Sequence, residues 1–149
     1  MTYSIRQAKI PHDTTTLDKI EMRAFEYSKA WLYDKAYEGT AWWLAEYDGR
    51  AVGMAGIRYP IAEAEGAAWL CRAAVIKTHR GNGIQKRLLR AREAYARKQG
   101  ATEIWTYTST DNSASSNSLI SAGFRLWVPT RWEIPGDKWS AWVYWRKYI

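Results

Sequence analysis

The sequence predicts an α/β fold with a mixed, mainly antiparallel sheet of six or seven strands flanked by helices. Three observations lead there. Residues 40–59 read as two strands joined by Asp48-Gly49, a strong hairpin signal. Residues 67–76 form a nearly continuous apolar run, the pattern of a central buried strand, and a basic amphipathic helix follows after a short loop. Beyond that helix the chain alternates between strand and short helix and then closes on strand-like residues. The 149 residues suit one domain, 1–149, with one sizeable core. With 47% apolar and 25% charged residues the composition is that of a globular protein.

Taken in order, residues 3–9 alternate as an edge strand. Pro11 and Asp13 begin a turn, and Thr14 to Thr16 offer caps for a helix through Tyr27 whose stripe is Leu17, Ile20, Met22, Ala24 and Phe25. A second helical piece is expected over 29–37, ended near Gly39. The hairpin strands cover 40–47 and 51–59, Pro60 stops the second, and the loop 61–66 carries Glu63 and Glu65. Arg72 interrupts the apolar strand, which points to a bulge, a site edge or an outward-facing charge. The helix over 82–98 places Ile84, Leu88, Ala91 and Tyr95 on one face, and its Lys and Arg residues are expected on the solvated remainder. Residues 103–109 alternate as a strand. Residues 110–113 then cap a short helix, 114–121, that ends at Gly123. The tail reads as strand 124–132, turn 135–137 and strand 139–148.

The most informative stretch lies between the apolar strand and the basic helix. A helix start carries unpaired N–H groups and the positive end of the helix dipole, so it attracts anions. Gly81 and Gly83 have no Cβ, which lets a phosphate approach the backbone. A bare turn is the plain alternative. The third glycine of a dinucleotide fingerprint and the Gly-Lys-Ser/Thr of a P-loop are missing. Arg80-Gly81-Asn82-Gly83-Ile84-Gln85 resembles the Arg/Gln-x-x-Gly-x-Gly/Ala acyl-coenzyme A loop of the GNAT N-acetyltransferase superfamily, with Gln85 in place of the usual small residue. Asn112-x-x-Ser115 followed by Gly123-Phe124 resembles that family's Asn-x-x-Ser/Ala … Gly-Phe segment, in the matching order and separation.

The resemblance implies a GNAT-like domain and transfer of an acetyl group from acetyl-CoA, as co-substrate, to an amine by direct attack. It implies that Val75, Lys77, Arg80, Gly81, Asn82, Gly83, Ile84, Gln85, Lys86, Asn112 and Ser115 hold the coenzyme, with Arg87 a further candidate beside its phosphates. It also implies a backbone N–H near Val75 for the oxyanion. The family's usual acid and base do not carry over, because Leu119 stands at the Tyr position and Trp69 at the Glu position. Tyr107 is the replacement candidate for the acid, and Glu63 or Glu65, working through water, for the base. By the same resemblance Phe25, Trp31, Tyr33 and Tyr37 are candidates to touch the acceptor, with helix packing as the plainer account.

The acceptor is expected to be an amine on a small molecule or a protein. Two alternatives stand beside this. A nucleic acid or nucleotide amine is suggested by the net charge of +7 together with ten Trp and ten Tyr, although no nucleic-acid motif supports it. The missing acid and base suggest a non-catalytic acyl-coenzyme A binding module. The resemblance also implies that the final strands flank the acceptor entrance, which makes Trp127, Trp132, Trp139, Trp142 and Trp145, with Arg131, Lys138, Arg146 and Lys147 among them, candidates to meet the acceptor, with packing against the helices on the sheet as the plainer account. No run approaches the roughly 20 apolar residues needed to span a membrane. The first residues lack a signal-peptide core, and the single Cys71 fits a reducing compartment, so a cytoplasmic location is expected. No metal site is expected from the isolated His12, His79 and Cys71, and a homodimer is left open.

Overall fold

The computed structural model describes residues 2–25, 39–110, 112–128 and 142–149. The expected helical piece over 29–37, the turn over 135–137, and Trp132 and Trp139 lie outside the described residues. Seven strands form one sheet: β1 (Tyr3–Gln7), β2 (Thr40–Tyr47), β3 (Arg50–Arg58), β4 (Ala67–Val75), β5 (Glu103–Ser109), β6 (Arg125–Trp127) and β7 (Trp142–Tyr148). Their order is β1-β2-β3-β4-β5-β7-β6. Among the described residues only β4 and β5 run parallel; every other pairing is antiparallel. The parallel pair needs a crossover, and the basic helix supplies it.

Local chemistry accounts for the boundaries. Asp48 and Gly49 both take positive φ, 52° and 76°, the two-residue turn whose twist matches a hairpin. Helix α1 (Thr14–Phe25) starts one residue after Asp13, whose carbonyl takes the Leu17 N–H, so the threonines expected as caps lie inside the first turn. The helix expected over 82–98 is α2 (Ile84–Gln99), begun by a left-handed Gly83 and closed by a left-handed Gly100 that donates to the Ala96 and Arg97 carbonyls. Helix α3 (Ser113–Ser121) is capped by Asn112.

Cross-strand neighbours share a face, so the register sorts the side chains onto two layers. On one face Trp43 packs edge-on against Tyr95 of α2, Gly53 lies beneath Ile84, and Leu88 and Ile104 are fully buried. Lys147 of β7 ties this face to α2 through both Glu93 oxygens, at 2.9 and 3.1 Å. On the other face α1 packs over β3 and β4, burying Leu17 and Ile20.

The start of α1 is anchored by charge. The buried Asp13 carboxylate accepts two bonds from Arg6, at 2.8 and 3.0 Å, and one from the Lys9 N–H at 2.7 Å. Arg6 also reaches Glu46 on β2. The Arg6 guanidinium and the Lys9 N–H hold the Asp13 carboxyl well below the usual carboxylate range. Its contribution is therefore fully present above the ordinary carboxyl pKa of about 3.9 and is lost as pH falls toward its folded value. Asp13→Asn is expected to cost about 1–3 kcal/mol at pH 7, the range for a charged hydrogen-bonded group. Thermal melts of both proteins should show that gap narrowing once the pH drops below about 4; a gap independent of pH would assign the effect to packing.

Candidate functional site

Strand β4 is paired with β3 along most of one edge and with β5 only briefly along the other. Its parallel ladder with β5 covers Ala67↔Glu103, Ala68↔Ile104 and Trp69↔Trp105, and then the strands part. The parting coincides with a bulge against β3. The register moves from Ala55↔Ala73 to Ile57↔Leu70, leaving Cys71 and Arg72 opposite Gly56. Of the alternatives open for Arg72, the bulge is present. Arg72 Nε lies 2.9 Å from the buried Glu21 Oε1 on α1, and its guanidinium stands 5.0 Å from the Phe25 ring centroid. Burial pushes the Glu21 carboxyl up, against the opposing pull of Arg72. Past the bulge the Ile76 N–H binds Val52 O of β3 at 2.9 Å. Successive residues of an extended chain turn to opposite edges, so the Val75 N–H and carbonyl face the gap toward β5.

The glycine loop closes the mouth of this gap. After a 3₁₀ turn over Lys77–His79, Gly81 and Gly83 both stand at positive φ, 79° and 74°. A Cβ placed on either would meet nothing within 4 Å, so the loop presents open backbone. Gly83 is the N-cap of α2 and gives no side-chain cap; the first-turn N–H groups of Ile84, Gln85 and Lys86 have no intrahelical acceptor. Gln85 is exposed at the second position of the helix, so its size does not disturb packing. Ile84 is buried and anchors the helix start in the core.

The basic residues divide into two roles. Arg80, though exposed, is tied to the backbone: its Nε donates to Val75 O at 2.9 Å and its Nη2 to Ala24 O at 3.2 Å. Arg87 reaches Tyr3 O at 2.7 Å. The Asn82 amide donates to the His79 and Arg80 carbonyls. His79 Nδ1 lies 3.0 Å from the Tyr3 hydroxyl, and its ring packs beside the paired Tyr3 and Tyr47 rings. These contacts hold the loop in shape. Lys77 and Lys86 are exposed and form no ion pair among the described residues, which leaves their charge for an anion.

Across the gap, β5 places Tyr107 on the α1 side of the sheet, 37% exposed, with its ring against Trp69, Trp142 and Tyr144. Trp105 and Trp127 continue this aromatic face, and Arg146 covers Trp127. Of the tail tryptophans, Trp142 joins this face, whereas Trp145 turns to the opposite one, buried with its Nε1 on Thr108 Oγ1 at 3.0 Å. Burial raises the Tyr144 hydroxyl pKa, with Tyr107 adding to it. Glu63 and Glu65 lie in the loop before Ala67, so the nine-residue β4, roughly 25 Å of strand, separates them from Val75 and the glycine-loop end of the gap.

Asn112 and Ser115 sit just beyond the end of β5. Asn112 Oδ1 accepts the Ser115 N–H at 3.1 Å, and the Asn112 N–H donates to Ser109 O. Leu119 is buried beside Phe124 in the core, which explains why an apolar residue serves at that position.

Among the buried charges of the described residues, Glu21 and Arg92 stand out as ones the sequence reading missed. Glu21 has no exposure, and Arg92, expected on a solvated face, is 4% exposed. Arg92 donates to the Leu88, Gly56 and Cys71 carbonyls. Spacing carried the signal in both cases. Arg92 is four residues from Leu88 and from Ala96, and Glu21 four from Leu17, so both fall on their helices' buried stripes.

A family model described as the acetyltransferase (GNAT) family matches residues 8–124. The chain belongs to this family. As a GNAT chain it is 32% identical over 103 residues to N-acetyltransferase 8B of Rattus norvegicus and 31% identical to N-acetyltransferase 8 of the same species. The match covers 67% of this chain and 45% of each relative, so the chain spans under half the length of these curated relatives. Solved GNAT structures share the fold. The ribosomal-protein-S18-alanine N-acetyltransferase from Escherichia coli superposes with a TM-score of 0.77 at 19% identity, covering 99% of this chain and 94% of that one. PaiA N-acetyltransferase from Thermoplasma acidophilum, solved with coenzyme A, gives 0.76 at 17% identity, with both chains fully covered. No helix among the described residues is long and apolar enough to cross a membrane.

The cap geometry makes a direct prediction. Asn112→Ala should lower stability by about 1 kcal/mol, the usual loss of an N-cap. A fall in melting temperature alone marks Asn112 as a cap; an added loss of coenzyme A affinity, read by calorimetry, marks its amide as a ligand group as well.

Proposed function

We propose that this chain is an N-acetyltransferase that transfers the acetyl group of acetyl-CoA to a primary amine. One observation carries the reading: two left-handed glycines open the start of α2 at the mouth of a gap where β4 leaves β5. The names of the rat relatives support the N-acetyl reading. The residues fit an acyl-coenzyme A. The open Gly81 and Gly83 backbone and the orphan N–H groups of Ile84, Gln85 and Lys86 suit phosphate oxygens, with Lys77 and Lys86 adding charge. The free edge of β4 offers backbone groups for an extended amide-bearing arm. Acetyl-CoA, when bound, supplies an acetyl group activated as a thioester. Asn112 and Ser115, at the end of β5, would flank that arm.

The chain's own chemistry is mostly positioning and polarisation. The Val75 N–H, turned to the gap, is the candidate donor to a developing oxyanion. The Tyr107 hydroxyl is the candidate on β5 to give a proton to a departing sulfur. A thiolate is a fair leaving group, so Tyr107 assists the reaction without being indispensable. The acceptor amine enters over the aromatic face of Trp69, Tyr107, Trp127 and Trp142, which α2 and α3 leave uncovered.

Two measurements test this. Gly83→Asp should abolish acetyl-CoA binding in calorimetry, through side-chain bulk and through charge against the phosphates; unchanged affinity with an intact fold would refute the cradle. Tyr107→Phe should lower the single-turnover rate by less than about 100-fold, the low end for acid–base catalysis. A larger loss with acetyl-CoA affinity preserved would make Tyr107 the essential acid.

A further inference from the structure

The bulge in β4 is held from both faces of the sheet. On the α1 face Arg72 meets Glu21. On the α2 face Arg92 reaches the backbone itself. Its Nη1 donates to Gly56 O at 3.2 Å and to Cys71 O at 3.4 Å, one carbonyl from each strand at the point where their register slips. Its Nε donates to Leu88 O, one turn earlier on its own helix, at 3.3 Å. Among the described residues this guanidinium forms no ion pair. Its burial lowers its pKa to about 10, still high enough to stay charged near neutrality.

A buried cation without a carboxylate is costly unless its donors are used. Here they are used on carbonyls that a bulge leaves short of ladder partners. An apolar side chain of similar size would fill the same space without bonding either strand. The bulge also lies just past the last β4–β5 pair, Trp69↔Trp105. The two features therefore share a level in the sheet: the cation pins β4 where it turns away from β5.

We propose that Arg92 is a positioning residue for the co-substrate: by holding the Cys71–Gly56 bulge it keeps the β4–β5 gap open in the shape that takes the pantetheine arm of acetyl-CoA. This rests on the acyl-coenzyme A reading above. It adds a division of labour within the site. The glycine loop binds the nucleotide phosphates, and Arg92, behind the sheet and out of reach of any ligand, sets the width of the slot. The nearby Cys71 thiol, pushed up to about 12 by burial, stays protonated and takes no part.

The experiment compares two probes on the same protein by calorimetry: adenosine 3′,5′-bisphosphate, which reads the loop alone, and coenzyme A, which reads loop and slot together. The ratio of their affinities measures what the arm gains from the slot. Arg92→Leu should leave the bisphosphate within about twofold of the unsubstituted protein. It should weaken coenzyme A by about 10- to 100-fold, the range for a lost hydrogen bond to a charged group. Arg92→Gln, which keeps N–H donors without charge, should recover part of that ratio. An unchanged ratio in Arg92→Leu overturns the proposal, and so does an equal loss of both probes, which would make Arg92 a general support of the domain. Should Arg92→Leu not fold, Arg92→Gln is read by the same criterion; failure of both to fold also overturns the positioning role in favour of a purely structural one. If the unsubstituted protein binds neither probe, it is the acyl-coenzyme A reading that fails.

Discussion

The unequal hydrogen bonding of β4 is the constraint on which the rest of this structure depends. One edge is laddered to β3 along most of its length; the other meets β5 for three residues only. Backbone groups left in a dry gap are costly, so such an opening must be wetted, filled by a ligand or bonded by side chains. The chain applies the last solution where it can. Arg80 takes the Val75 carbonyl at the mouth, and Arg92 takes the Gly56 and Cys71 carbonyls at the bulge. The gap that remains is bounded on one side by a strand with free backbone groups and on the other by Tyr107 and its aromatic neighbours.

This view changes what the excess of positive charge means. A net charge of +7 suggests a surface tuned for polyanions. Yet three arginines near the loop and helix, Arg80, Arg87 and Arg92, are committed to backbone carbonyls, and Arg6 to a pair of carboxylates. A guanidinium's several donors suit it to fastening separated carbonyls, where a lysine presents one ammonium. The lysines at the loop, Lys77 and Lys86, are the ones left with exposed charge. Arginine here serves largely as internal cross-linking, and part of the basicity is architectural.

The aromatic residues divide in the same manner. Alternation along β5 and β7 sends Ile104, Thr106, Val143 and Trp145 to the face packed by α2 and α3, and Trp105, Tyr107, Trp142 and Tyr144 to the other. Trp145 is satisfied by Thr108 and belongs to the core. The others form a tilted and edge-to-face cluster with Trp69 and Trp127 beside the gap. Aromatic walls of this kind give large contact area with little side-chain entropy to lose, which suits a surface that must meet a ligand.

The sequence by itself determined the features whose causes lie within a few residues. Asp48-Gly49 sets the hairpin because both positions need positive φ, and its register is local. The glycine loop, the basic helix start and the Asn112 cap were legible because backbone conformation and capping depend on neighbours one to four residues away. The limits of β5 followed from alternation, and the end of β2 from the Asp48-Gly49 turn. Only the tertiary structure decided the matters that depend on distant partners. Arg72 was visible as an anomaly in a strand, but its reason is Glu21, fifty-one residues earlier on the buried face of α1. Arg92 read as a solvated charge because composition marks it polar, whereas its place on the buried stripe is tolerable only if carbonyls stand opposite, and those come from a slip between β3 and β4. In each case what decides is whether a charge finds its partner across the sheet, a distance that local pattern does not encode.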